Sequence, residues 1–245
     1  MPSPLPVPSA NAGVGDLLGA AGRLFRLALP KCLPYAMIAS LLGQAPALLL
    51  QAHGHQLRPF EVPTDTNFWI ESGVAVVFDM LLFTLVTLRM RSLMGGVEPD
   101  LSKEFPRLLV RLRLLMPALL LALAAYTLGF ALLIAPGIYL IVCLSVLPAV
   151  VMFEEHTVVG ALKRSLVMMS RHWVKNFAVY VIGFLIGGVC VAFAAGLVGI
   201  ALESVAGNNI MLAIEQALVI AFSGVMWTFL GAISLILYTS ASSSA

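Results

Sequence analysis

The sequence predicts an all-α polytopic integral membrane protein, with six transmembrane helices and three amphipathic helices on one face. Three observations predict it. Hydrophobic residues make up 60% of the chain and charged residues 11%, with a mean hydropathy of +1.01. A soluble domain is nearer half apolar and a quarter charged. Apolar runs of spanning length alternate with short basic segments. Of the 14 Lys and Arg residues, Arg58 alone falls on one side of the resulting topology. Such asymmetry orients a chain with its basic loops, and here both termini, in the cytoplasm.

Residues 1–12 are rich in Pro and Ser and read as a disordered tail, without the basic start and short apolar core of a signal peptide. Gly15 to Leu29 reads as an amphipathic helix. Leu17, Leu18, Ala21, Leu24, Phe25 and Ala28 fall on one face, and Asp16, Arg23 and Arg26 on the other. Pro30-Lys31 is expected to end it. Cys32 to Gln51, with Pro46 inside, is the first span. The polar segment 52–67 follows, then Trp69 to Leu88 as the second span, closed by Arg89 and Arg91. Gly95-Gly96 and Pro99 mark a turn.

Leu101 to Leu112 is again amphipathic, setting Leu101, Phe105, Leu108, Leu109 and Leu112 against Lys103, Glu104, Arg107 and Arg111. Leu114 to Ile134 is the third span. Ala135-Pro136-Gly137 reads as a turn into a fourth, Ile138 to Phe153, which Pro148 should kink by freeing the carbonyl of Leu144. Glu154 and Glu155 would open the next helix, acids being favoured at a helix N-terminus. In it Val158, Leu162, Leu166, Met169 and Trp173 share an apolar face, with Lys163, Arg164, Ser170 and Arg171 opposite. That pattern fits a helix lying in the interface, apolar face in lipid and basic face towards headgroups. Phe177 to Leu202 and Ile210 to Tyr238 are the fifth and sixth spans.

The domain plan is therefore a single membrane domain over residues 13–238, with loose tails at 1–12 and 239–245. Within it, residues 15–67, 101–153 and 157–238 share one layout, a basic amphipathic helix followed by a membrane hairpin. Either duplication or the basic character of every cytoplasmic entry segment accounts for that layout.

One stretch resembles a known family. Pro136-Gly137-Ile138-Tyr139, then Pro148, Glu154-Glu155, Ala161-Leu162-Lys163-Arg164-Ser165 and Trp173 resemble the YciC-like bacterial membrane proteins. They also look like the membrane domain attached to some glycerophosphoryl diester phosphodiesterases. The resemblance covers roughly the middle fifth of the chain closely and implies a six-span bacterial inner-membrane protein. It brings no phosphodiesterase activity, because these residues include no soluble catalytic domain.

Candidate functional residues are few. Asp79 stands near the middle of the second span, where an acid is costly and is by default a candidate for carrying a proton or holding a cation; a buried acid bonded to a neighbouring helix is the structural alternative. Glu71 and Glu215 sit nearer the span ends. Arg107, Arg111, Lys163, Arg164 and Arg171 are candidate contacts to the headgroups of anionic phospholipid in the cytoplasmic leaflet. Gly183, Gly187, Val191, Ala195 and Gly199 recur at fours on the fifth span, and Ala217, Gly224 and Gly231 at sevens on the sixth. Small residues at such spacing let helices approach closely, within the monomer or in a homodimer.

Other patterns are weaker. His53 and His55, even with Glu61 and Asp65, make an incomplete zinc set. His156 and His172 flank the interfacial helix. Cys32, Cys143 and Cys190 are scattered in apolar surroundings and suit buried hydrophobes rather than disulfides or zinc. Glu154, Gly160 and Ala161 loosely match the loop through which transporter permeases meet their ATPase, but the downstream I-x-L-P is replaced by Ser170-Arg171-His172-Trp173. There is no phosphate-binding Gly-Lys-Ser/Thr loop, His-Glu-x-x-His or Gly-x-Ser-x-Gly. The expectation is a non-enzymatic, lipid-contacting scaffold with no cofactor, no metal and no nucleic-acid partner. A small transporter or permease component working through Asp79, and an accessory domain for lipid metabolism, are the alternatives.

Overall fold

A computed structural model describes residues 5–9, 11–52, 66–203 and 208–243. Among them every regular element is helical: α1 (Val14–Ala52), α2 (Thr66–Met94), α3 (Leu101–Leu132), α4 (Ile134–Leu144), α5 (Leu147–Phe153), α6 (Val158–Ser170), α7 (Trp173–Glu203) and α8 (Asn208–Ser242). Five stretches are long and apolar enough to cross a membrane: Val14–Leu49, Thr66–Met94, Leu101–Leu132, Ile134–Phe153 and Ala217–Ser242. A sixth arises if α6 and the Trp173–Val189 part of α7, bent by 87°, count as one broken span. Large apolar side chains such as Ile38, Ile70, Phe78, Leu120, Leu128 and Phe184 point outward along these helices. That inverted surface suits a hydrocarbon environment and no aqueous one.

The amphipathic segments and their spans are not separate pieces in the first two units. α1 runs unbroken through Pro30, Pro34 and Pro46, and α3 through Pro106 and Pro117. At 39 residues α1 is about 58 Å long, well beyond the roughly 30 Å of a bilayer core. Pro30-Lys31 therefore does not end a helix. A proline inside an apolar bundle loses one backbone bond, and packing keeps the rest of the ladder in place.

The face predicted for residues 15–29 is correct, but it faces protein. Leu17, Ala21, Leu24 and Ala28 are fully buried within the core that α1 shares with α8 and α2. On α6 the buried line is instead Ala161, Ser165, Met168 and Met169; of the predicted face only Met169 is buried, Val158, Leu162 and Leu166 lie at the edge, and Trp173 belongs to α7 beyond an 87° bend. Ser165 Oγ donates to the carbonyl of Cys143 at 2.8 Å, fastening α6 to α4. On α3 the picture differs: Leu108 is buried, whereas Phe105, Leu109 and Val110 stay exposed.

Pro148 does break its helix. Ser145 and Val146 form a turn, Ser145 Oγ donates to the Val142 carbonyl at 2.8 Å, and Pro148 occupies the first turn of α5, where its missing N–H costs nothing. Ala135-Pro136-Gly137 is not itself the expected turn but lies within α4. A single extended residue, Leu133, separates α3 from α4, and Pro136 sits in the first turn of α4. The chain reverses so tightly that a Cβ on Gly129 would lie 3.0 Å from the Cα of Gly137. Glu154 closes α5 instead of opening α6. Thr157 is the N-cap, its Oγ1 accepting from Gly160 N at 3.2 Å.

The elbow between α6 and α7 has its own cap. Buried Asn176 donates Nδ2 to the carbonyl of Met169 at 3.0 Å, and Trp173 stacks on Phe177 with ring centroids 5.4 Å apart. The described parts of the segments expected to be loose pack on the same end. Leu5 N donates to Met94 O at 3.1 Å, and Ser240 Oγ to Ser9 O at 3.0 Å. α8 continues through Ser242 with Thr239 and Ser240 buried.

Candidate functional site

One end of the bundle carries the basic residues. The start of α1, the end of α2, the start of α3, the α5–α6 junction, the α6–α7 elbow and the end of α8 meet there. Every Lys and Arg among the described residues belongs to these segments.

Two acids organise this end. Arg89, at the last turns of α2, and Glu104, in the first turn of α3, form an ion pair at 3.2 Å with side chains only 9% and 4% exposed. Ser92 Oγ donates to the other carboxylate oxygen of Glu104 at 3.2 Å, and the guanidinium of Arg89 lies 4.5 Å from the ring centroid of Tyr35 on α1. Glu154 is the second acid. Its Oε2 accepts from Arg164 Nε at 3.1 Å and from His156 Nε2 at 2.8 Å. Tyr238 OH donates to its Oε1 at 3.2 Å, and Arg111 Nη1 donates to its backbone carbonyl at 3.1 Å. One residue thus joins α3, α5, α6 and α8. Asp100 caps α3: hydrogen bonds from the Ser102 hydroxyl, then from Lys103 and the Ser102 backbone N–H, hold its carboxyl below the usual range.

With those acids committed, Arg91, Arg107, Arg111 and Arg113 have no carboxylate partner among the described residues. Two open clefts gather them. The first, of about 620 Å³, lies between α2, α3 and α5 and presents Arg91, Arg107 and Arg111 over Val110, Met152 and Phe153. Its neighbour, about 760 Å³, shares Val110 and Arg111 and adds Arg113, Glu155 and His156. A smaller pocket of about 90 Å³ at the elbow is lined by Arg164, Arg171, His172 and Lys175. Of the five basic residues singled out in the sequence, Arg107, Lys163 and Arg171 are exposed, whereas Arg111 and Arg164 are engaged at Glu154.

Asp79 stands apart from this end. It is half-buried in the middle of α2, with no hydrogen bond or ion pair to it among the described residues, and it lines none of the three clefts. Glu71 is exposed near the start of α2. No group of three metal-ligating side chains occurs among the described residues. His53, His55, Arg58, Glu61 and Asp65 lie outside them, as do the side chains of Cys190 and Glu215 and the surroundings of Gly199. Cys32 and Cys143 are free and buried. Of the permease-like set, Glu154 is held internally, Gly160 meets the Thr157 cap and Ala161 is buried.

The glycines mark close packing between helices of one chain. Gly183 faces Ile233 and Gly187 faces Met226, both on α8; Gly224 faces the backbone of Met37 on α1, and Gly231 faces Met90 and Phe83 on α2. The seams on α7 and α8 therefore do not face each other. Sequence reasoning did not single out Arg91 or the pairing of Arg89 with Glu104, although basic residues at the end of one span followed by an acid in the first turn of the next helix were visible signals.

No protein family, curated protein or solved structure matches the chain.

Proposed function

We propose that the chain is a bacterial inner-membrane protein of the YciC-like kind, a non-enzymatic scaffold that contacts anionic phospholipid. Its basic end, and with it both termini, would lie at the cytoplasmic leaflet. One observation carries the reading: arginines without acidic partners among the described residues collect at one end of an otherwise apolar helical bundle. Guanidinium groups at that level attract lipid phosphates, at about 1 kcal/mol per residue near an anionic surface. The mechanism differs from a wedge of amphipathic helices, since the apolar faces of α1 and α6 are spent on the protein core. Contact falls instead to exposed basic side chains and to the exposed apolar flank of α3.

The test is lipid retention by the full chain extracted gently from its own membrane, read by native mass spectrometry. The Arg107→Gln, Lys163→Gln, Arg171→Gln triple variant leaves the partners of Glu154 in place. It should keep its fold and lose most of its anionic lipid; unchanged lipid content would sink the reading.

A second reading rests on Asp79, an acid at mid-span with no partner among the described residues. It makes the chain a small transporter or permease component. Proton-coupled flux in reconstituted vesicles that Asp79→Asn abolishes at normal expression would establish it.

A further inference from the structure

We propose that the cleft between α2, α3 and α5 is a discrete site for one anionic glycerophospholipid, its phosphate held by Arg91, Arg107 and Arg111. This rests on the lipid-contacting reading above and narrows it from a diffuse basic face to a single stoichiometric site.

Charge is the first argument. The cleft presents three guanidinium groups and no carboxylate, whereas its neighbour carries Glu155. The acid nearest in sequence, Glu154, already receives Arg164, His156 and Tyr238 through its carboxylate. A phosphate entering the cleft meets donors that no anion among the described residues pairs with, in the fork geometry that suits a phosphate.

Two of the arginines are also pre-positioned. Arg111 is tethered by its bond to the Glu154 carbonyl, and the guanidinium of Arg91 lies 5.7 Å from the centroid of the Phe153 ring. Arg91 and Arg107 are both exposed, and Arg107 is the adaptable member. Held side chains lose less freedom on binding, so a site built this way is stronger than the same charges on a mobile surface.

The surroundings point to a lipid as the source of the phosphate. Met152, Phe153 and Val110 give the cleft an apolar wall, and Val110 is 69% exposed on the flank of α3. Beyond Arg113, α3 carries no charged residue to its end at Leu132. The arginines therefore sit at the level where hydrocarbon gives way to headgroups, with an apolar flank leading inward for acyl chains. The elbow pocket is too small for a headgroup with its chains, and its Lys175 already donates to the Ala12 carbonyl.

The experiment titrates the full chain in detergent micelles with phosphatidylglycerol, with phosphatidylcholine, and with inorganic phosphate alone, read by native mass spectrometry. The expected result is one phosphatidylglycerol per chain, little phosphatidylcholine and weak phosphate. Arg91→Gln, Arg107→Gln should weaken phosphatidylglycerol retention about 30-fold, as expected for two surface arginines. Val110→Glu, which adds a carboxylate to the wall and leaves every arginine in place, should weaken it comparably. Arg171→Gln should leave this one lipid in place. Graded binding of many anionic lipids, insensitive to Arg91→Gln, Arg107→Gln but reduced by neutralising the other basic residues, would overturn the discrete site while sparing the broader reading. Equal retention of phosphatidylcholine would overturn both. Inorganic phosphate binding as tightly as the lipid would overturn the assignment of a lipid occupant.

Discussion

Arg89 and Glu104 form a buried ion pair that clamps the end of α2 to the start of α3, with Ser92 and Tyr35 closing around it. Burying two charges gains little net stability, but breaking such a pair strands the survivor and costs about 3–5 kcal/mol. Arg89→Met and Glu104→Leu should each be strongly destabilising. The double change Arg89→Met, Glu104→Leu should recover most of the loss, because no charge is left without a partner. Thermal unfolding in detergent of the two single variants and the double variant measures this; additive losses would refute the clamp.

Glu154 plays a different part, since its carboxylate takes three donors from α5–α6 and α8 and its carbonyl takes a fourth from α3. Glu154→Ala removes charge-assisted hydrogen bonds together with the anion between them, and a cost of about 2–3 kcal/mol is expected. Tyr238→Phe removes one donor and should cost nearer 1 kcal/mol. Amide hydrogen exchange should show the loss concentrated at the start of α6 and the end of α8. A uniform loss across the bundle would argue against a local node.

The hairpin between α3 and α4 makes the sharpest steric prediction. A methyl group on Gly129 meets backbone atoms of Gly137, and one on Gly137 meets the Phe130 ring at 2.6 Å. Gly129→Ala should therefore cost about 1–3 kcal/mol through overpacking. Gly188→Ala, where nothing lies within 4 Å, should be neutral or slightly stabilising through helix propensity. Equal effects from the two would remove the argument.

How far the sequence reaches is clear from particular residues. The period of residues 15–29 identified Leu17, Ala21, Leu24 and Ala28 as one apolar face, and all four are buried. It did not reveal that the face meets protein, because periodicity reports an apolar neighbour without saying whether that neighbour is lipid or helix. Pro148 was legible as a kink, which the structure places as a break at Ser145 and Val146, whereas the stop expected at Pro30 was overridden by packing along α1. Glu104 read as a polar-face residue because its partner lies on another helix across a turn, a relationship no helical period contains. The α2–α3–α5 cleft was invisible for the same reason: Arg91 and Arg107 become neighbours only after the chain folds back.

The cap at Asp100 gives a pH dependence whose sign is fixed. Its carboxyl is held below its ordinary range by the Ser102 hydroxyl first, then by Lys103 and the Ser102 backbone N–H. Its folded form therefore binds protons less readily than its unfolded form, so the stabilisation is present above the unfolded value, about 3.9, and fades as pH falls through the lower folded one. Amide exchange in the first turn of α3 should quicken, relative to the intrinsic rate, between pH 5 and pH 2 (about the range in which such a carboxyl protonates). Asp100→Asn should keep the cap but abolish that dependence, since an amide still accepts from the Ser102 N–H and does not titrate.

Asp79 separates the two functional readings by flux, and its effect on stability tests whether the carboxyl has a partner. A half-buried acid on a spanning helix, with no hydrogen bond or ion pair to it among the described residues, is an unrelieved cost wherever it faces hydrocarbon. If it is incidental, Asp79→Leu should stabilise the chain by about 1–3 kcal/mol, on the scale set for an aspartate in a membrane helix, and leave lipid retention unchanged. If it carries protons or a cation, the same substitution should still stabilise but should silence transport in reconstituted vesicles. A destabilising Asp79→Leu would contradict both, because it would mean that the carboxyl has a partner that holds the fold together. Measuring melting temperature and flux on the same two preparations distinguishes all three cases.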